Sequence, residues 1–197
     1  MIHLVADLDV LGEDALARRV RALLALGLPS LQLRGRGRSA EELVAKGRPL
    51  RELAREAGAL FLVNGSVEVA RRLGADGLHL PAAGPEPESV RDAVAPCTRI
   101  GMSCHDRGEL ERAAGADWVF LSPVFTTASK PLAHPLGTEG LAALVPFAPA
   151  PVYALGGIEV ESVADCLEAG AAGVAAIRGL LGPDGERLLA EALALAE

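Results

Sequence analysis

Residues 60–81 read LFLVNGSVEVARRLGADGLHLP and contain one complete folding unit. The apolar run Leu60–Val63 stops at Asn64-Gly65, an amphipathic helix follows, and a second apolar run closes on His79. Strand, helix and strand in this order predict neighbouring parallel strands. A polar pair at the carboxyl end of such a strand is a place for ligand contacts. Here that pair offers an amide and a glycine, with no carboxylate.

The same alternation runs along the whole chain. Apolar runs predict strands at about residues 2–6, 30–34, 60–64, 77–80, 99–103, 118–122, 152–155 and 173–177, with helical patterns between them. Residues 13–26 place Leu16, Val20, Leu23 and Leu24 on one helical face. Ser39 reads as an N-cap, followed by an acidic first turn. The glycines at 74, 115 and 170 each end a helix and lead into a strand, where left-handed caps are expected. Eight units in 197 residues, about 25 each, predict an α/β fold, a closed (β/α)8 TIM barrel forming one domain over 1–197. An open doubly wound sheet is the alternative.

Half of the residues are hydrophobic but only 3% are aromatic, so Ala, Leu and Val are expected to build the core. The formal charge of −7 argues against nonspecific nucleic-acid binding. The first residues acquire acids early and lack signal-peptide architecture. No apolar run approaches the roughly 18 residues of a membrane span. Cys97, Cys104 and Cys166 lack metal-ligand spacing and read as reduced thiols. These features predict a soluble, cytoplasmic protein without membrane or nucleic-acid partners.

Polar residues inside strands locate the site. Gln32 and Arg34 share one strand face, as do Gly77 and His79, and Gly101, Ser103 and His105. In a barrel sheathed by helices, such groups look into the lumen near its carboxyl mouth. The turns after strands seven and eight, ALGGIEVES (154–162) and AAIRGLL (175–181), form the strongest signal. Gly156 and Gly157 let the backbone approach an anion, Ile177 opens the last turn, and Arg178 adds a fork of donors. The bland reading of the double glycine is a tight turn alone. LSPVFTTASKPLAHPLG (121–137) is a long loop whose Thr126, Thr127, Ser129 and Lys130 suit phosphate oxygens; otherwise it is a solvated surface loop. Within LQLRGRGRS, Arg34 reads as an anion ligand and Arg38 as surface.

Histidine is the common proton-transfer group, and four are present. His3 reads as structural, and His79 and His105 as equally suited to pocket lining or structure. His134 lies on the long loop, where a surface role competes with closure over a ligand. Asp7 and Asp9, after strand one, are the nearest carboxylates to the mouth. No triad pattern, P-loop or GxGxxG occurs.

Together LQLRGR, LFLVNGSVEVARRLGADGLHLP, IGMSCHDRGELERAAGADWVFLSPVFTTASKP, PLGTEGL and PVYALGGIEVESVADCLEAGAAGVAAIRGLL resemble the superfamily of thiamine phosphate synthase and its relative TenI, the thiazole tautomerase. The resemblance spans nearly the whole chain and implies a TIM barrel, often a homodimer. In the synthase a pyrimidine diphosphate loses pyrophosphate and the thiazole nitrogen captures the resulting cation-like carbon, with Mg²⁺ neutralising the leaving group. Gln32, Arg34, Asn64, Ser103, Thr127, Lys130 and the Gly156-Gly157 turn match the family pattern. Arg36 stands where the synthase has lysine, Ser129 where threonine is usual, and Arg178 where serine is common. The synthase's two magnesium aspartates are replaced here: Gly65 stands at the first position, and Pro81–Gly84 covers the second. The tautomerase's histidine falls on Pro123.

This pattern makes a TenI-like tautomerase the leading reading: a cofactor- and metal-free isomerase moving a proton on a phosphorylated thiazole carboxylate. Its catalytic candidates are His105, His134 and Lys130, with His79 also available, and its ligand is a small phosphorylated thiazole. The alternatives are a divergent synthase, which would bring Mg²⁺, and a noncatalytic phosphate-binding barrel.

Overall fold

A computed structural model of the chain describes residues 1–96, 98–128 and 133–195. Eight parallel strands close into a barrel in sequence order: β1 (Ile2–Asp7), β2 (Ser30–Arg34), β3 (Leu60–Asn64), β4 (Gly77–Leu80), β5 (Arg99–Cys104), β6 (Trp118–Leu121), β7 (Val152–Leu155) and β8 (Gly173–Ala176). β1 pairs with both β2 and β8, which closes the ring and excludes the open sheet. The helices are α1 (Glu13–Ala25), α2 (Ala40–Ala57), α3 (Val67–Leu73), α4 (Pro87–Arg91), α5 (Arg107–Arg112), α6 (Gly137–Leu144), α7 (Val163–Glu168), α8 (Arg178–Leu181) and α9 (Gly185–Ala194).

Local chemistry explains the boundaries. Helix α1 buries Leu16, Val20, Leu23 and Leu24, the face expected from their spacing. At α2, the Glu42 backbone N–H donates to Ser39 Oγ at 3.2 Å, and the Ser39 N–H donates to Glu42 Oε2 at 2.9 Å. This reciprocal box satisfies two donors that a helix start leaves open. Gly74 caps α3 with φ +57°, a backbone region that costs glycine nothing.

Two apolar layers result. Between sheet and helices, Leu, Val, Ile and Ala side chains form the large outer core. Inside the barrel a second cluster contains Val5, Leu62, Trp118, Phe120, Tyr153 and Ala175. Three of the six aromatics, Trp118, Phe120 and Tyr153, thus sit in the lumen, beyond what an Ala/Leu/Val core implies. Glycines on neighbouring strands make room for them. Gly101 is the register partner of Trp118, and Gly173 that of Tyr153. A Cβ on Gly101 would run into the Trp118 indole. His3 lies edge-on to Tyr153, with ring centroids 4.4 Å apart, and contacts Ser30 Oγ through Nδ1.

Cys104 and Cys166 are buried free thiols, pushed up to about 12 and about 11 by burial. Cys97 lies outside the described residues. Among the described residues, no helix is long and apolar enough to cross a membrane.

Candidate active site

A cavity of about 790 Å³ opens at the carboxyl ends of the strands. Its floor is formed by lumen-facing residues that alternation put on that face. Asn64 Nδ2 donates to Gln32 Oε1 at 3.2 Å, and His79 Nε2 lies 2.8 Å from Ser103 Oγ. The His79 ring packs on Phe120, with centroids 4.3 Å apart. Gln32 Nε2 and His79 Nδ1 are buried without a hydrogen-bond partner. Such groups cost free energy unless a ligand or water completes them.

One cationic arc lies at β2. Arg34 ends that strand and donates to the Asp7 carboxylate across the β1–β2 register, while Asp7 Oδ1 accepts the Asp9 N–H at 3.1 Å. Burial, with Arg36 adding repulsion, lowers Arg34 to about 10, so it stays charged at neutral pH. Arg36 also lines the cavity and is exposed. Arg38 turns to Asp9 at 2.8 Å, the surface role expected.

The second arc lies at β7 and β8, with β1 between it and the first. Gly156, Gly157, Ile177 and Arg178 all line the cavity, as does Thr127. The two glycines have φ +102° and +67°. Their bareness also admits the loop after β6: a Cβ on Gly156 would sit 2.9 Å from Pro123 Cα, and one on Gly157 2.5 Å from the Thr126 carbonyl. Val124 N–H donates to Leu155 O at 3.0 Å and Phe125 N–H to Gly156 O at 2.9 Å. The double glycine therefore both turns the chain and draws the β6 loop against the β7 turn. Ser129 and Lys130, expected in this arc, lie outside the described residues.

The histidines separate. His79 is held neutral by burial, lowered to about 3, which makes it a weak base. His134 is exposed and is not among the residues lining the cavity, so its candidacy as base is not supported. A loop residue is placed by tertiary contacts that strand alternation does not encode. His105 lines the mouth, and its ring Nδ1 lies 2.6 Å from Glu109 Oε2. Glu109 was not singled out from sequence: His105 precedes the α5 N-cap Asp106, so the pair is made by the turn from strand into helix and not by spacing along a helix. Lumen-facing Phe120 was also missed, and strand alternation with Trp118 could have shown it.

The magnesium positions of the synthase pattern do not fit a metal here. Gly65 has φ +77°, and a Cβ on Gly84 would lie 2.9 Å from the Pro81 carbonyl. The described residues contain no group of three His, Cys, Asp or Glu side chains able to hold a metal ion.

Comparison with known proteins agrees with the geometry. Residues 2–180 match the family model described as thiamine monophosphate synthase. A thiamine-phosphate synthase of Roseiflexus sp. is 37% identical over 94% of this chain and 80% of its own length. One from Levilactobacillus brevis is 39% identical over 86% of this chain and 81% of its own. A solved thiamine phosphate pyrophosphorylase from Pyrococcus furiosus superposes with a TM-score of 0.84 at 29% identity, covering 99% of this chain and 94% of the other. With a matching barrel and a sequence match over nearly its full length, the chain belongs to the thiamine monophosphate synthase family.

Proposed function

We propose that the cavity is the active site of a transferase that joins a pyrimidine diphosphate to a thiazole phosphate and releases pyrophosphate. The observation carrying this reading is that two separated arcs of donors, Arg34 with Arg36 and the Gly156-Gly157 turn with Arg178, line one cavity. A tautomerase substrate carries a phosphate and a carboxylate on one small ring, whereas coupling brings a phosphate and a diphosphate on two separate molecules, one for each arc. A coupling enzyme needs two, and about 790 Å³ lies within the range for small-molecule sites.

In this reading the arc of Gly156, Gly157 and Arg178 holds the thiazole phosphate, and Arg34 and Arg36 hold the diphosphate. Gln32 Nε2, the buried donor without a partner, meets an acceptor nitrogen of the pyrimidine ring. The C–O bond between the pyrimidine's methylene carbon and the diphosphate breaks, and pyrophosphate leaves with the electron pair. The thiazole nitrogen lone pair then forms the new C–N bond. The cavity's contribution is positioning and charge stabilisation.

Sequence alone placed the tautomerase first; the relatives' names and the second arc support the transferase instead. Two features favour the isomerase: the replaced magnesium aspartates, and the His105–Glu109 pair, which presents an oriented imidazole at the mouth. Incubation with both thiamine precursors, followed by detection of thiamine phosphate, tests the reading. Thiamine phosphate formation is the expected result. Conversion of the thiazole carboxylate tautomer without coupling would instead establish the isomerase.

A further inference from the structure

We infer that this chain expels pyrophosphate without a divalent metal, using the guanidinium groups of Arg34 and Arg36 as the charge clamp. The inference rests on the transferase reading for its chemistry and on the cavity's donor set for its evidence.

A magnesium ion on a diphosphate needs hard carboxylate oxygens that are open to it. The ends of β3 and β4 supply none, and their backbone is adapted to glycine. Gly65 adopts a left-handed conformation, where a non-glycine residue is strained. At Gly84 a side chain would press on the Pro81 carbonyl. The acids elsewhere around the cavity are mostly committed. Asp7 is bound by Arg34 and by the Asp9 N–H. Glu109 takes both the His105 ring and the His105 N–H. Asp184 pairs with Arg187 at 3.2 Å, and Glu159 accepts the Ser162 backbone N–H. Glu161 is exposed at the rim, and the described residues hold no group of three His, Cys, Asp or Glu side chains that would make a metal site with it.

The positive charge lies on β2 instead. Arg34 and Arg36 are two residues apart, both line the cavity, and together carry two positive charges, the same as one Mg²⁺. Arg34 is anchored by Asp7. Arg36 forms no ion pair among the described residues, which leaves its fork available to phosphate oxygens. As the methylene C–O bond breaks, negative charge grows on the departing diphosphate, and the anchored Arg34 together with Arg36 stabilises it there.

The test is paired. Coupling of the two precursors is measured after exhaustive EDTA treatment and again with Mg²⁺ restored, and pyrophosphate binding is titrated calorimetrically under both conditions. Rates within about twofold of each other, and pyrophosphate affinity that Mg²⁺ does not improve, are expected. Arg36→Gln is expected to weaken pyrophosphate binding at least tenfold, while Arg38→Gln changes it less than twofold. Coupling lost in EDTA and restored by Mg²⁺ overturns the inference, as does pyrophosphate binding that requires Mg²⁺. Absence of coupling in both conditions overturns the transferase reading, and the titration then decides the metal question alone.

Discussion

Glu109 holds His105 at two points: Oε2 accepts the backbone N–H at 2.7 Å and lies 2.6 Å from the ring Nδ1. The carboxylate fixes the ring's orientation and assigns Nδ1 as its proton-bearing nitrogen, so Nε2 is the basic one. As a test of the isomerase reading, Glu109→Ala is expected to lower kcat for the thiazole tautomer roughly 10- to 100-fold with little change in KM, while coupling, which moves no proton through this imidazole, is unaffected. Glu109→Gln, which keeps one hydrogen bond, should recover part of the loss. Steady-state kinetics on the two variants measures this, and an unchanged kcat assigns the pair to structure alone.

Acid should destabilise the fold through its interior histidines. Burial lowers His3 to about 4 and His79 to about 3, whereas in the unfolded chain both titrate near 6.5. The folded pKa lies below the unfolded one, so the unfolded state takes up protons first as pH falls. Stability is full above pH 6.5 and declines toward pH 4, by about 2 kcal/mol per histidine at pH 5. Thermal melts of the native protein and His3→Gln between pH 8 and 5 should diverge in slope, the variant being flatter.

The complementarity of Gly101 and Trp118 gives a stability prediction. Gly101→Ala places a methyl group where the indole lies, and overpacking of this kind costs about 1–3 kcal/mol. Trp118→Phe should relieve part of that cost. A double-mutant cycle by denaturant unfolding should therefore show the pair losing less than the sum of the single changes.

At the β7–β8 arc, Arg178→Ala should weaken thiazole phosphate binding by about tenfold or more, as expected for loss of a charged hydrogen bond. Calorimetric titration with thiazole phosphate checks this. Equal affinity in the variant would assign phosphate recognition to the backbone of the Gly156-Gly157 turn.

The buried thiols should be unreactive in the native state. Cys104 and Cys166, raised to about 12 and about 11, hold almost no thiolate at neutral pH. Peptide mapping after brief iodoacetamide treatment should find both unmodified, and both alkylated once the chain is denatured.

Much of the site was legible because strand alternation is a local rule. Gln32, Arg34, His79 and Ser103 all reached the cavity that their parity assigned them. The eight strands appeared within two residues of their expected ends for the same reason. What escaped depended on register and return contacts. Asp7 was visible as an acid after strand one, but its engagement by Arg34 follows from the β1–β2 register. Glu109 needed the chain to turn back on His105. His134 suited a closing loop by position, yet its side chain is exposed, which no periodicity specifies.

The aromatic layer of Trp118, Phe120 and Tyr153 also bears on traffic. It fills the lumen beneath the cavity floor, so molecules enter and leave from the loop end. Under the proposed transferase reading, the pyrimidine ring on Gln32 and Asn64 is expected to bind first and the thiazole phosphate to close the way out after it. Arrival and departure then follow a stack's rule: the first in is the last out. Product-inhibition kinetics would record that as an ordered sequence.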